Sequence, residues 1–172
     1  MSTRRGFLVG IGMPALLAGC GWQPLYANRE TEPVNAELRA IRVNPIAERV
    51  GQRLEFALRN SLNPDNVPAQ QRYALQVILA TAMSDFGIQS QGLGTRGEVT
   101  VQATYILKEI ASNTQVQTGT LRATDSFDIQ ANGYSTVVAQ DDAYTRCVED
   151  LRREIVARLT VFLQDRKAVA AS

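Results

Sequence analysis

Polar and apolar residues alternate from Glu98 to Leu107, with Val99, Val101, Ala103, Tyr105 and Leu107 on one side and Thr100, Gln102 and Thr104 on the other. That period of two predicts a strand at 98–108 with one face on a core and the other in water. A second alternating run, about 115–130, sets Leu121, Ala123, Phe127 and Ile129 against Thr118, Thr120, Arg122 and Thr124, and Asn113 suits a hairpin turn between the two. From Arg72 to Met83 a third strand is expected, with Tyr73, Leu75, Val77 and Leu79 on one face. Ile78 stands on its other face, which points to a central place or burial on both sides. A short strand is expected over Leu38, Ala40 and Ile41 to Val43.

The period changes to four in two segments. Asn44 as cap and Pro45 at the first helical position open a helix in which Ile46, Val50, Leu54, Leu58 and Leu62 recur, until Asn63-Pro64-Asp65 stops it. A long helix is expected from about Val137 to Gln164, with Ala143, Cys147, Leu151, Ile155, Leu159 and Leu163 forming a packing stripe flanked by Val148 and Phe162. The order strand, helix, strand, strand, strand, helix implies an α+β domain, with two helices on one face of a mostly antiparallel four-stranded sheet.

Ahead of this domain the pattern is of another kind. Arg4 and Arg5 precede an apolar run from Phe7 to Ala18, and Leu17-Ala18-Gly19-Cys20 matches a lipoprotein processing box. The run is too short to span a bilayer, which takes roughly 20 residues. The expected organisation is a signal peptide at 1–19, a lipidated N-terminus and Pro-containing linker at 20–36, one domain at 37–165 and a tail at 166–172. Cys20 is the lipidation site, and several acyl chains together anchor a protein firmly where one does not. Thr3-Arg4-Arg5-Gly6-Phe7-Leu8 also resembles a twin-arginine export motif. Gly21 stands where an Asp would retain a lipoprotein in the inner membrane under the enterobacterial rule, so delivery to the outer membrane is expected.

The signal segment holds two of the 18 basic residues and none of the 17 acidic ones, which leaves the rest near −1. Such a balance lacks the basic footprint of a nucleic-acid-binding domain. With Cys20 lipidated, Cys147 is the one remaining thiol, so no internal disulfide can form, and its place in the stripe reads as a small core residue. The chain has no histidine, which removes the commonest general base and the commonest zinc ligand. Asp141-Asp142 read as acids near the start of a helix, where the dipole favours them. Asp125 and Asp128 differ in strand parity and point to opposite faces. Gly92-Leu93-Gly94-Thr95-Arg96-Gly97 satisfies a bare G-x-G-x-x-G pattern, but a strand follows it where a dinucleotide site needs a helix, so the glycines read as a connection between strands. No catalytic constellation, metal site or cofactor is expected.

The start Cys20-Gly21-Trp22-Gln23-Pro24-Leu25-Tyr26 resembles the C-G-F-x-P-L-Y opening of alphaproteobacterial LPS-assembly lipoproteins, the LptE family. Thr95-Arg96, Tyr105-Ile106-Leu107, Gly119 and Ser126-Phe127 are similar to that family's middle strands. Ala139, Asp142-Ala143, Arg146, Leu151, Ile155 and Arg158-Leu159 resemble its last helix. The resemblance implies a non-enzymatic lipoprotein that binds the outer-membrane barrel LptD, plugs its lumen and helps lipopolysaccharide reach the outer leaflet. Phosphates on that glycolipid would seek Arg or Lys near apolar surface, and Arg96, Lys108 and Arg122 are the candidates. Two other classes fit the chain: a lipoprotein subunit of another envelope lipid-trafficking system, and a periplasmic enzyme using Ser, Thr or carboxylates.

Overall fold

A computed structural model of the chain describes residues 32–88 and 94–171, so Cys20, the signal segment and most of the expected linker lie outside it. The described elements are α1 (Glu32–Arg39), β1 (Ile41–Val43), α2 (Glu48–Leu62), β2 (Tyr73–Ile88), β3 (Gly94–Glu109), β4 (Gln115–Asp128) and α3 (Gly133–Ala171). The strands form one sheet in the order β1-β2-β3-β4, with β1 parallel to β2 and both other pairs antiparallel. The α+β class and the mostly antiparallel sheet are as expected. Asn113 makes the β3–β4 turn in the left-handed region at φ 53°, which asparagine tolerates.

Odd-numbered residues of β2 over Tyr73–Leu79, of β3 from Gly97 and of β4 from Gln117 turn to the helices, the bulge at Leu107/Lys108 having shifted the parity of Gln115 and Val116. Leu75 pairs with Leu107, Val77 with Tyr105, and Ala103 with Leu121, and every one of these is buried. α2 adds Leu54, Leu58 and Leu62, and α3 adds Ala143, Cys147, Val148, Leu151, Ile155, Leu159 and Leu163. Among the described residues the core contains no polar or charged side chain.

Four local expectations need correction. The linker signal ended too late, because residues 32–39 form α1, whose Val34 and Leu38 are buried. Pro33 lies in its first turn, where a missing N–H costs nothing. Consequently β1 is confined to residues 41–43, and Leu38 belongs to a helix. Asn44 does not cap α2: its N–H donates to the Leu75 carbonyl at 2.9 Å and prolongs the β1–β2 ladder, while α2 starts only at Glu48. β2 takes the central place, one of its two expected settings, between β1 and β3, while its second face is open, with Ile78 56% exposed. Finally, α3 begins at Gly133 and continues through the expected tail to Ala171.

Gly97 and Gly119 sit within strands because of their partners. Gly97 pairs with Phe127 and Gly119 with Tyr105. A Cβ at Gly97 would lie 2.3 Å from the Phe127 ring, and one at Gly119 would lie 2.8 Å from the Tyr105 ring. Each ring therefore fills the space that its neighbour's side chain would take, a cross-strand arrangement that offsets glycine's poor strand propensity. Gly97 is thus a packing residue of β3 and not part of a loop, whereas Gly92 lies outside the described residues. Gly119→Val should destabilise the domain by about 1–3 kcal/mol through forced displacement of the Tyr105 ring. Leu151→Ala, which empties a site 2% exposed, should cost about 2–5 kcal/mol. Urea unfolding checks both; losses under about 0.5 kcal/mol would contradict this packing.

Candidate functional site

With one sheet face committed to the helices, the even-numbered residues of β2 over 74–84, of β3 from Arg96 and of β4 from Thr118 make the opposite face. Thr100 and Thr124 are paired across it with hydroxyls 3.1 Å apart, and Thr104 and Thr120 with hydroxyls 3.3 Å apart. The Thr118 hydroxyl donates to the Tyr105 carbonyl at 3.0 Å. Ala80, Ala82 and Ile78 line the β2 side of this face, and all three are exposed. The result is a surface rich in hydroxyls and short of charge, since β-branched threonines both favour the strand and present a polar atom to water.

Arg96, Lys108 and Arg122 all belong to this face. Arg96 pairs with Asp128 of β4, Arg122 lies opposite Gln102 with its guanidinium 3.5 Å from the Thr100 hydroxyl, and Lys108 stands at a bulge opposite Ala74 and Gln115. They share a face without forming a cluster. Arg96 and Lys108 are twelve positions apart on β3, and at roughly 3.3 Å per residue that is about 40 Å. Arg122 falls midway. No single headgroup can touch all three, so each would serve a separate contact. Cys20 lies outside the described residues.

Arg42 of β1 completes a row that sequence reasoning missed: it pairs with Ala74, which on its other side pairs with Lys108. The available signal was the Ile41-Arg42-Val43 alternation, which places the arginine on the open face.

The remaining charged groups tie elements together. Arg53 of α2 grips both oxygens of Asp141 at 2.7 and 2.8 Å and donates to the Thr145 hydroxyl, fastening α2 to α3. Asp141 lies eight residues inside α3, so it is a clasp and not the dipole-facing acid expected. Asp125 pairs with Arg146 of α3. Asp128 faces the other way, as strand parity requires. Arg72 and Arg166 lie 5.9 and 5.8 Å from the Tyr73 ring centre, and each is paired with an acid, Glu37 and Glu109 respectively. Among the described residues no group of three or more His, Cys, Asp or Glu could hold a metal, and no helix is long and apolar enough to cross a membrane.

No family model matches the sequence, and no curated protein is similar to it. Solved structures do share its fold. A protein described as a lipoprotein from Caulobacter crescentus CB15 has a TM-score of 0.61 at 21% identity, covering 78% of this chain and 97% of its own. A minor lipoprotein from Acinetobacter baumannii has 0.54 at 16%, covering 72% and 92%. The rare lipoprotein B from Shewanella oneidensis has 0.52 at 11%, covering 77% and 98%. The α+β arrangement found here is thus that of three lipoprotein domains.

The ion pairs fix an acid dependence of stability. The Arg146 hydrogen bond holds Asp125 below its ordinary 3.8, and the Arg53 hydrogen bonds do the same for Asp141. A carboxyl with a lowered folded pKa binds fewer protons than in the unfolded chain. Its contribution is present above the ordinary value and is lost as pH falls through the folded value. Stability should hold from pH 7 to about 5 and fall below about 4. Combining Arg53→Gln with Arg146→Gln should lower it at pH 7 by at most about 1 kcal/mol per exposed pair and flatten the acid limb. An unchanged slope in urea midpoints against pH would contradict this. Burial, with a smaller push from Asp125 and Asp150, raises the Cys147 thiol to about 11, and its side chain is 1% exposed. In a Cys20→Ser chain, iodoacetamide should leave Cys147 unmodified at pH 7 until urea unfolds the domain; fast labelling of the native chain would overturn this assignment.

Proposed function

We propose that this chain is a lipid-anchored lipoprotein of the outer membrane, of the alphaproteobacterial LPS-assembly type, that plugs the lumen of an LptD-type β-barrel and helps lipopolysaccharide reach the outer leaflet. The observation that carries the reading is the conjunction of the Cys20-Gly21-Trp22-Gln23-Pro24-Leu25-Tyr26 opening with a fold shared with the rare lipoprotein B. Anchor and domain then have separate tasks: acyl chains on Cys20 hold the chain at the membrane, and the folded domain provides a rigid body for the barrel.

The open sheet face suits such a lumen. Barrel interiors are polar, and a hydroxyl-rich, weakly charged surface can exchange hydrogen bonds with one without burying unpaired charge, which would cost several kcal/mol per ion. The role is non-enzymatic in this reading, in keeping with a chain that has no histidine to serve as base or nucleophile partner. Arg96, Lys108 and Arg122 offer phosphate contacts at separate points along the face.

Affinity purification of the tagged, lipidated protein from detergent-solubilised outer membranes, followed by mass spectrometry, tests the reading. A large LptD-type barrel at equal stoichiometry is the expected result. A different envelope partner, or none, would sink it in favour of another lipid-trafficking system. Arg96→Ala and Arg122→Ala should each weaken lipopolysaccharide binding severalfold without unfolding the domain. Because the two sites are well apart, the double variant should show the sum of the two free-energy losses. Unchanged affinity in both singles and the pair would remove these residues from the proposal.

A further inference from the structure

On the free edge of β1, away from the middle of the open face, lies a cleft of about 770 Å³ between α2 and the 63–72 connection. That volume is within the range of small-molecule and headgroup sites. Its wall is held in place by Asn63, which stops α2 and then both donates to the Val67 carbonyl at 2.9 Å and accepts from the Val67 N–H at 3.0 Å. The charge of the lining is one-sided. Arg39 of α1, Arg42 of β1 and Arg59 of α2 all reach it, and no Asp or Glu is among its lining residues. The acids nearby sit outside the lining: Asp65 is 3.7 Å from Arg39, and Glu55 is 3.0 Å from Arg59. Lys108 stands two strands from Arg42 across Ala74, about 10 Å at ordinary strand spacing, and extends the cationic row beyond the cleft. Phe56 and Val67 line the same cleft and are 68% and 43% exposed.

Arg39 and Arg59 each already have a carboxylate, Asp65 and Glu55, outside the lining, and Arg42 brings a third guanidinium to the same concavity. Planar forks suit phosphate oxygens bidentately. The neighbouring carboxamides of Asn60 and Gln71 suit hydroxyl groups, and exposed Phe56 and Val67 offer apolar contact beside the charge. We propose that this cleft is a binding site for a phosphate ester carried on a hydroxyl-bearing body, either a soluble phosphosugar or a phospholipid headgroup, with Arg42 and Arg59 as its principal contacts. The site is independent of the barrel-plugging role.

The full chain in dodecyl maltoside should be titrated calorimetrically with glucose 6-phosphate and, separately, with short-chain phosphatidic acid against phosphatidylcholine of the same chain length. Saturable binding of at least one phosphate monoester is expected, with at least a tenfold loss in Arg42→Ala/Arg59→Ala and none in Arg153→Ala, an exposed arginine of α3 paired with Asp150 and outside both sites. Thermal melting confirms that the double variant stays folded, and Arg42→Lys/Arg59→Lys should restore part of the affinity. Loss in Phe56→Ser for the lipid alone would assign the source to a lipid headgroup; equal affinity of both probes in Phe56→Ser and the parent chain would assign it to a soluble phosphosugar. The proposal is overturned if neither phosphate probe binds, if the double variant binds as the parent does, or if only an acidic hexapeptide binds through these arginines. A chain that retrieves no barrel yet shows the arginine-dependent binding keeps this site and loses the function proposed above.

Discussion

One sheet face must be kept from water, and the way α3 meets that demand shapes the rest of the molecule. Its buried residues advance in steps of four from Ala143 to Leu163. At 3.6 residues per turn each such step rotates about 40° around the helix, so the first and last members of the stripe face directions about 200° apart. One flat partner cannot bury both. The N-terminal half meets the start of β3, where the Cys147 thiol approaches the Val99 carbonyl at 3.9 Å, and it meets β4 through the Arg146–Asp125 pair. The C-terminal half reaches the other end of the sheet, where Arg166 pairs with Glu109 and lies by Tyr73, and where α1 joins the packing. A twisted sheet and a small added helix are what a stripe of this pitch requires.

The same demand explains the glycines. Bulky Tyr105 and Phe127 point to the helix side, next to Gly119 and Gly97 on the adjoining strands. With each ring laid over a missing side chain, volume is kept while the layer stays thin enough for α3 to reach Val99, Val101 and Ala103, all fully buried. Native-density packing leaves little tolerance for a methyl group at such a position.

Because the core is one-sided, charge and hydroxyls are left to the open face and the edges. Clasps such as Arg53–Asp141 are exposed pairs worth little singly, and they orient helices whose burial is already secured by leucines. The open face carries threonine pairs and widely spaced cations, a surface suited to lining against another polar surface. Three arginines converge instead at the β1 edge, where α1, β1 and α2 meet.

Periodicity alone revealed both large helices, the three long strands, the Asn113 turn and the core residues of α3, because each is an amphipathic element whose partner is a single apolar layer. Strand parity likewise separated Asp125 from Asp128. The CGWQPLY opening and the processing box at Cys20 were also legible, since they are local sequence signals. Tertiary structure decided the rest. Pro33 reads as a linker residue until Val34 and Leu38 find α3. Asn44 reads as a helix cap until Leu75 offers its N–H a ladder bond. Ile78 leaves open whether β2 is central or covered on both sides, until the sheet order makes it central and the second face has no cover. Asp141 reads as a dipole-facing acid until Arg53 arrives from α2. Arg96, Lys108 and Arg122 could be assigned to one face from parity, but their separation along the strands and the convergence of Arg39, Arg42 and Arg59 depend on pairing and packing between distant segments, and no local period encodes that.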